Sequence, residues 1–309
     1  MAAWTPNWSG WQVTKRLILA WLALLPAVAP ADNAAHPVTL WMAEGAGNRV
    51  YLLGSVHLLR EQDHPLPRVI DAVYDDAETL YMELDMDDLD PVLMQATIND
   101  LGMLDEGTSL RDVMGEDLYA EAIARAAELE LPLDMLDRTE PWLAAITVEQ
   151  LALARIGFNP SYGIEMHLLR RALSDNKEIL GFESVEQQLA YLDGLSLDAQ
   201  RALLIQTLTE SAGIREIMDD LILAWRSGDI DYLEQTLLDD VSGYPELYET
   251  IVVSRNRLWV DTIEALLEQE EDYLVVVGAL HLVGEDGVPQ LLEQRGIKIT
   301  QMHEQRGIE

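Results

Sequence analysis

Two segments of this chain share one pattern, and each pattern closes on a histidine. The first is YLLGSVHL at 51–58, and the second is VVVGALHL at 275–282. In both, an apolar run typical of a buried strand precedes glycine, two residues, histidine and leucine. The glycine permits a tight turn, so His57 and His281 are predicted just past two strand ends. Ligands of open α/β sheets bind at this edge, so we predict one site containing both histidines, the alternative being that each caps a turn.

The remaining pattern predicts a single α/β domain with a central mixed sheet. Strand-like runs cluster at both ends of the chain and near Gly181, with long helical regions between them. No linker rich in proline, glycine or serine separates two halves, so the helices are predicted to form a large insertion over the rim of the sheet. The predicted strands are an edge strand at 37–41, a hairpin partner at 50–53, and strands at 79–84, 178–180, 273–277 and 297–302. The predicted helical regions are 67–77, 91–176, 184–268 and 288–294.

The first 31 residues have the composition of a secretory signal. Lys15 and Arg16 supply positive charge, 17–29 is an apolar run, and small residues at 29–31 offer a cleavage site. The run is short for a membrane span, and an uncleaved anchor is the alternative. We therefore predict a signal peptide at 1–31 and a domain at 32–309 that is periplasmic or secreted, with no stable membrane span once the signal is removed.

Charge and composition restrict the classes of function. The formal net charge is −35, and lysine occurs three times, so no basic patch for nucleic acid can be assembled. The acidity indicates a solvated surface or, alternatively, a cationic ligand. Cysteine is absent, which excludes thiolate zinc sites and thiol nucleophiles. Any metal must therefore be bound by His, Asp or Glu.

Two glutamates occupy similar positions at other predicted strand ends. Glu83 closes the strand 79–84, and Glu183 follows Gly181 by two residues. If the strands are neighbours, both carboxylates converge with the imidazoles into a donor set suited to Mn, Co, Fe or Zn. Such an ion would activate water for hydrolysis. The alternatives are a solvated carboxylate for Glu83 and a helix-dipole-stabilised acid for Glu183.

Arg255 lies one turn before Trp259, on the apolar stripe of a predicted helix, whereas Arg257 is predicted to point toward solvent. An inward arginine requires an anionic partner, so Arg255 is predicted to stabilise an oxyanion, orient Glu83 or form a structural ion pair. Glu165, at a helix start, is either a further metal ligand or an acid stabilised by the helix dipole.

Taken together, these segments resemble the TraB/PrgY/GumN family, which includes the TIKI metalloproteases. The resemblance implies a fold related to TIKI, erythromycin esterase-like and ChaN-like proteins, and a metal-dependent peptidase using Mn or Co. The family roles would fall on His57, His281, Glu83 and Arg255. Departures are Ser55 where Thr is common, Glu165 where Asp is common and Phe182 where Leu is common. The segments that carry the resemblance are YLLGSVH at 51–57, MEL at 82–84, GIE at 163–165, KEILGFES at 177–184 with Gln188, RN at 255–256 and VGALHL at 277–282.

We therefore predict a secreted or periplasmic metal-dependent hydrolase, specifically a peptidase. His57, His281 and Glu83 would bind a divalent ion, with Mn or Co favoured and Zn or Fe as alternatives. Glu83 is also the candidate base, and Arg255 would stabilise charge developing on the attacked carbonyl. Two other functions stay open: a non-catalytic binding protein for haem, a metal or a signalling peptide, and an esterase acting on a small molecule. The sequence specifies neither the substrate nor the oligomeric state.

Overall fold

A six-stranded mixed sheet forms the centre of the fold in a computed structural model that describes residues 35–242 and 244–305. The strand order across the sheet is β4-β3-β5-β2-β1-β6. The strands are β1 (Ala35–Glu44), β2 (Arg49–Ser55), β3 (Thr79–Leu84), β4 (Ile179–Glu183), β5 (Tyr273–Gly278) and β6 (Ile299–Gln305).

Four neighbouring strands, β4, β3, β5 and β2, run parallel, and β1 pairs antiparallel with β2. Their carboxyl ends therefore share one edge of the sheet, as the repeated pattern predicts. The predicted hairpin of β1 and β2 is confirmed. The prediction that the first strand lies at an edge is wrong, because β6 adds to the outer side of β1 and leaves β6 and β4 as the edges.

Helices cover the sheet and form the predicted insertion between β3 and β5. Five of them precede β4 within this insertion, and six follow it. The helices are α1 (Arg68–Asp76), α2 (Pro91–Gly102), α3 (Leu110–Met114), α4 (Glu116–Glu128), α5 (Pro141–Arg155), α6 (Ile164–Asp175), α7 (Val185–Asp193), α8 (Leu197–Glu210), α9 (Ile214–Ser227), α10 (Ile230–Ser242), α11 (Pro245–Tyr248), α12 (Ser254–Leu266) and α13 (Val288–Gln294).

The alternation of side chains along the strands explains why both faces of the sheet are covered. In β2, Leu53 packs with α1, α6 and α9 on one face, whereas Leu52 packs with α12 and α13 on the other. A third apolar cluster lies within the insertion, where α3, α4, α5 and α8 contribute residues such as Val148 and Leu204. The sheet edge that carries the strand ends is thus held between two packed layers, and the predicted α/β fold with a helical insertion is confirmed.

The signal peptide predicted at 1–31 lies outside the described residues and stays a prediction. Among the residues that the structure does describe, no helix is both long enough and apolar enough to cross a membrane.

Candidate active site

The four predicted strand-end residues lie at one edge of the sheet. His57 follows β2 by two residues, Glu83 and Glu183 lie at the ends of β3 and β4, and His281 lies in a 3-10 turn directly after β5. The two copies of the repeated pattern are offset by one residue, because Ser55, not Gly54, pairs with Gly278. The local backbone also differs, because His57 lies in a loop whereas His281 lies in the 3-10 turn.

His57 is held by the start of α6. Its Nδ1 lies 2.7 Å from Oε1 of Glu165. The chain can make this approach because residue 163 is glycine: a Cβ there would lie 2.1 Å from the carbonyl oxygen of His57. Attraction to the Glu165 carboxylate raises the pKa of His57 to about 10, while the His57 side chain itself is 57% exposed. His57 is therefore protonated at neutral pH in the metal-free protein.

His281 is held in one tautomer by Asn256. The Nδ2 of Asn256 donates to the carbonyl oxygens of His281 and Asp286, at 3.2 and 2.8 Å, so its Oδ1 is left as an acceptor. That oxygen lies 2.7 Å from Nδ1 of His281, which places the imidazole proton on Nδ1 and the lone pair on Nε2. Burial lowers the pKa of His281 to about 3. The ring is therefore neutral at any physiological pH, and its Nε2 carries the lone pair.

Arg255 connects the two strand-end glutamates. It lies in α12 just after a π-helical turn, Glu249–Val253, a distortion that is frequent at functional sites. Its Nε and Nη2 donate to Glu183 at 2.8 Å each, and Nη2 also donates to Glu83 at 2.7 Å. Nη1 lies 3.3 Å from Nε2 of His281. Glu183 also accepts from the indole of Trp259 at 3.1 Å, so this one carboxylate holds both the guanidinium and the indole.

Glu83 is ionised and held at both oxygens. Oε1 accepts from the backbone N–H of Gly278 at 2.9 Å, and Oε2 accepts from Gln188 at 3.0 Å as well as from Arg255. Burial opposes its ionisation, but His281, His57 and Arg255 together lower the pKa of Glu83 to about 2. The carboxylate is therefore available as an acceptor at neutral pH.

Gly278 marks the point at which the functional groups meet. A methyl group at this position would lie 3.4 Å from Nε2 of His57, 3.5 Å from Oε1 of Glu83 and 3.7 Å from Cδ2 of His281. Both imidazoles and the carboxylate thus surround one small space. The Nδ1 atoms of the two histidines are bonded elsewhere, to Glu165 and Asn256.

A cleft with two lobes opens from this space, and both lobes are lined by His57 and Glu83. The smaller lobe, about 320 Å³, is lined by three methionines, Met82, Met86 and Met166. The larger lobe, about 520 Å³, reaches Arg255 and His281 and extends between α5, α9 and α10. The site therefore lies where a bound molecule could extend to either side.

Comparison with known proteins assigns the chain to a protein family. The profile of the TraB/PrgY/gumN family matches residues 39–301, which include every side chain described above. The chain belongs to this family. Protein YbaP of Escherichia coli (strain K12), named as uncharacterised, is 27% identical across 80% of this chain and 89% of its own length. An uncharacterised protein of Treponema pallidum is 25% identical across 82% of this chain and 80% of its own length.

A more distant relative of this TraB/PrgY/gumN member has a named activity. Metalloprotease TIKI1 of Homo sapiens is 23% identical across 81% of this chain, and the match spans 59% of the human protein. No solved structure matches the chain. The resemblance deduced from the sequence is thus confirmed at the level of the family.

The donor chemistry of the cluster suits a divalent ion, although the side chains are not arranged around one. Both imidazoles have Nδ1 held by an oxygen, which is how metal-binding histidines are oriented. Across 35–242 and 244–305, however, no group of three or more His, Asp or Glu side chains is positioned to hold an ion. Three of the candidate ligand atoms have protein partners instead: Nε2 of His281 lies beside Arg255, and both oxygens of Glu83 accept hydrogen bonds. Metal binding by His57, His281 and Glu83 therefore stays a prediction.

The two additional candidate ligands, Glu165 and Glu183, contact the side chains of the site rather than its central space. Glu165 contacts His57 through Nδ1, so it orients the ring, and Glu183 is directed at Arg255 rather than into the cleft. Arg257 is exposed, as predicted from its place on the helix. Asn256 and Gln188 have no role that the sequence predicts beyond their place in the family motifs, because each amide acquires its role from a partner distant in the chain.

Proposed function

We propose that this protein is a divalent-metal-dependent hydrolase that cleaves peptide bonds in the periplasm or outside the cell. The observation that supports it best is the meeting of both Gly-x-x-His imidazoles and Glu83 around Gly278, with Arg255 alongside. Distant family relatives named as metalloproteases support the same reaction class.

The ion would be bound through Nε2 of His57, Nε2 of His281 and the carboxylate of Glu83. When bound, such an ion polarises a carbonyl oxygen and lowers the pKa of water. Glu165 and Asn256 would keep both imidazole lone pairs directed at the ion, as partners of metal-binding histidines do. The donors, two nitrogens and an oxygen, suit Mn, Co, Fe or Zn, and the resemblance to the family is what favours Mn or Co.

The remaining groups bind and orient the substrate's reacting bond. Glu83 would act as a metal ligand or as the base that takes a proton from an attacking water, and its low pKa in the metal-free protein favours the ligand role. Arg255 would turn Nη1 from His281 to the carbonyl oxygen on which negative charge develops. Glu183 and Trp259 limit the movement of the guanidinium, because Glu183 holds two of its nitrogens.

The charge of the site favours an added cation. Glu83, Glu165 and Glu183 carry three negative charges, and Arg255 with protonated His57 supplies two positive charges. Exchange of the His57 proton for a divalent ion makes this group of five neutral. Buried charge of one sign is costly, so neutralisation stabilises the site.

The proposal is tested by peptide cleavage in Mn, Co or Zn by the wild type and by single histidine variants. We expect His57→Ala and His281→Ala to lose at least roughly 100-fold in kcat, the scale of removing one group that acts on the transition state. His167→Ala is the matched control, since His167 contacts Asp71 away from this cluster.

Unchanged cleavage by His57→Ala contradicts the proposal. A wild-type protein that retains a ligand one to one, yet cleaves no peptide with any of the three metals, would instead be a binding protein. Hydrolysis confined to small esters would indicate an esterase.

A further inference from the structure

The larger lobe has an apolar wall formed mainly by α9. Residues at helical spacing line it; three of them are only partly buried, and Ile217 is exposed. Helices α5 and α10 add further apolar side chains. Partly exposed apolar surface of this kind, collected in a concavity beside reactive groups, is typical of a ligand pocket. The α9 residues are Ile214, Ile217, Met218, Leu221, Ile222 and Trp225.

One carboxylate interrupts this wall and is not used by the site. Glu149, one turn before Leu153 on α5, lines the lobe and is open to it. Among the residues that the structure describes, no hydrogen bond or ion pair reaches Glu149. Its surroundings raise the pKa of the carboxyl by desolvation, and attraction to His57 only partly offsets this effect. A second carboxylate of the lobe, Glu210, differs because it accepts from Gln206 at 2.6 Å.

We propose that the larger lobe binds the amino-terminal end of a peptide substrate, with an apolar first side chain against α9 and its free ammonium group on Glu149. This inference rests on the proposed function. Glu149 is an exposed carboxylate beside apolar walls and no cation within the described residues pairs with it, so a cationic ligand that enters the lobe supplies that partner. The ammonium group and the first side chain of a peptide leave the same Cα, so one residue satisfies both features of the lobe.

The position of the lobe sets the direction of the substrate. His57 and Glu83 line both lobes, so a chain whose amino-terminal end fills the larger lobe continues past the reacting groups into the smaller lobe. The methionines of the smaller lobe are flexible and adapt to varied side chains. The protein would therefore select its substrate at the amino-terminal side of the cleaved bond and accept varied residues beyond it.

The test compares peptides of one sequence that carry leucine first and have either a free or an acetylated amino terminus. We expect wild-type protein to prefer the free form, and Glu149→Gln to lower kcat/KM for that form at least roughly 30-fold, mainly through KM. Cleavage of the acetylated form should not change. Glu128→Gln, an exposed glutamate on α4, controls for the loss of one negative charge. Ile217→Trp should narrow the lobe and shift preference from leucine toward alanine at the first position.

Binding of the same peptides to Glu83→Gln and to Glu83→Gln/Glu149→Gln, followed by fluorescence anisotropy, separates this inference from the proposed function. Selective binding of the free form that Glu149→Gln removes supports the inference even where no peptide is cleaved. Equal binding or cleavage of free and acetylated peptides overturns it. It is also overturned if Glu149→Gln affects only acetylated peptides with an internal lysine, because the ammonium group would then belong to a side chain.

Discussion

Replacing Arg255 by methionine measures how strongly the guanidinium stabilises the carboxylates of the site. The side chains of Arg255, Glu83 and Glu183 are 7%, 14% and 4% exposed, and Nη2 lies within 2.8 Å of both carboxylates. Methionine preserves much of the aliphatic stem and leaves two buried negative charges without this partner. Breaking a buried ion pair from one side costs about 3–5 kcal/mol, so Arg255→Met should lower the free energy of unfolding by about that amount.

Urea unfolding followed by circular dichroism at neutral pH gives this difference, with the slope against urea unchanged. Arg257→Met is the matched control on the same helix. Its side chain is 59% exposed and lies 3.3 Å from the equally accessible Glu249, so its loss should cost less than about 1 kcal/mol. Equal losses in the two variants would refute the argument from burial.

The pH dependence of the Arg255→Met loss provides a second check. Without the guanidinium, the ionised form of Glu83 becomes less favourable in the folded protein, so the folded pKa of Glu83 rises from its wild-type value of about 2. The cost is then complete at high pH and declines as the pH falls and the carboxylates protonate. The gap between wild type and variant should narrow as the pH falls toward the wild-type Glu83 pKa of about 2, and a constant gap contradicts the reasoning.

Three further predictions address the space around Gly278 and the orientation of the histidines. Gly278→Ala should fold normally, because the φ of −52° at this position suits alanine. Its methyl group would lie 3.4 Å from Nε2 of His57, so the Mn affinity measured by calorimetry should fall at least tenfold, by roughly 1.4 kcal/mol or more. An unchanged Mn affinity would argue against the site. Asn256→Ala should lower metal affinity by about 10–100-fold through loss of the Nδ1 partner of His281, whereas Asn256→Asp, which keeps an acceptor, should lose less. The pKa of His57 is about 10, so metal binding at neutral pH should release about one proton. Calorimetry in two buffers of different ionisation enthalpy measures this release. Metal binding without proton release would exclude His57 as a ligand.

The strands and the convergence of their ends could be predicted from the sequence because both depend on local patterns. Apolar runs ending in glycine mark β2 and β5, and parallel neighbours necessarily present His57 and His281 at one edge. The order of strands is not a local property. The first strand therefore has the pattern of an edge, yet it is covered by β6, which comes from the other end of the chain.

The partners of the site residues could not be predicted in the same way. Glu165 lies 108 residues from His57, and its helix-start position is equally typical of an acid stabilised by the dipole. Glu183 has the same ambiguity, which the structure resolves by placing it on Arg255. Glu149 has no sequence signal, because a lone glutamate within a predicted helical region is typical of a solvated surface. It acquires a distinct environment only when α5 and α9 enclose the lobe.

Anomalous diffraction from crystals grown with Mn tests the central claim most directly. We expect a single strong peak beside Gly278, at about 2.2 Å from Nε2 of both His57 and His281, with Glu83 as a further ligand. A fully occupied peak elsewhere, or an ion that contacts only one of the two imidazoles, would contradict it.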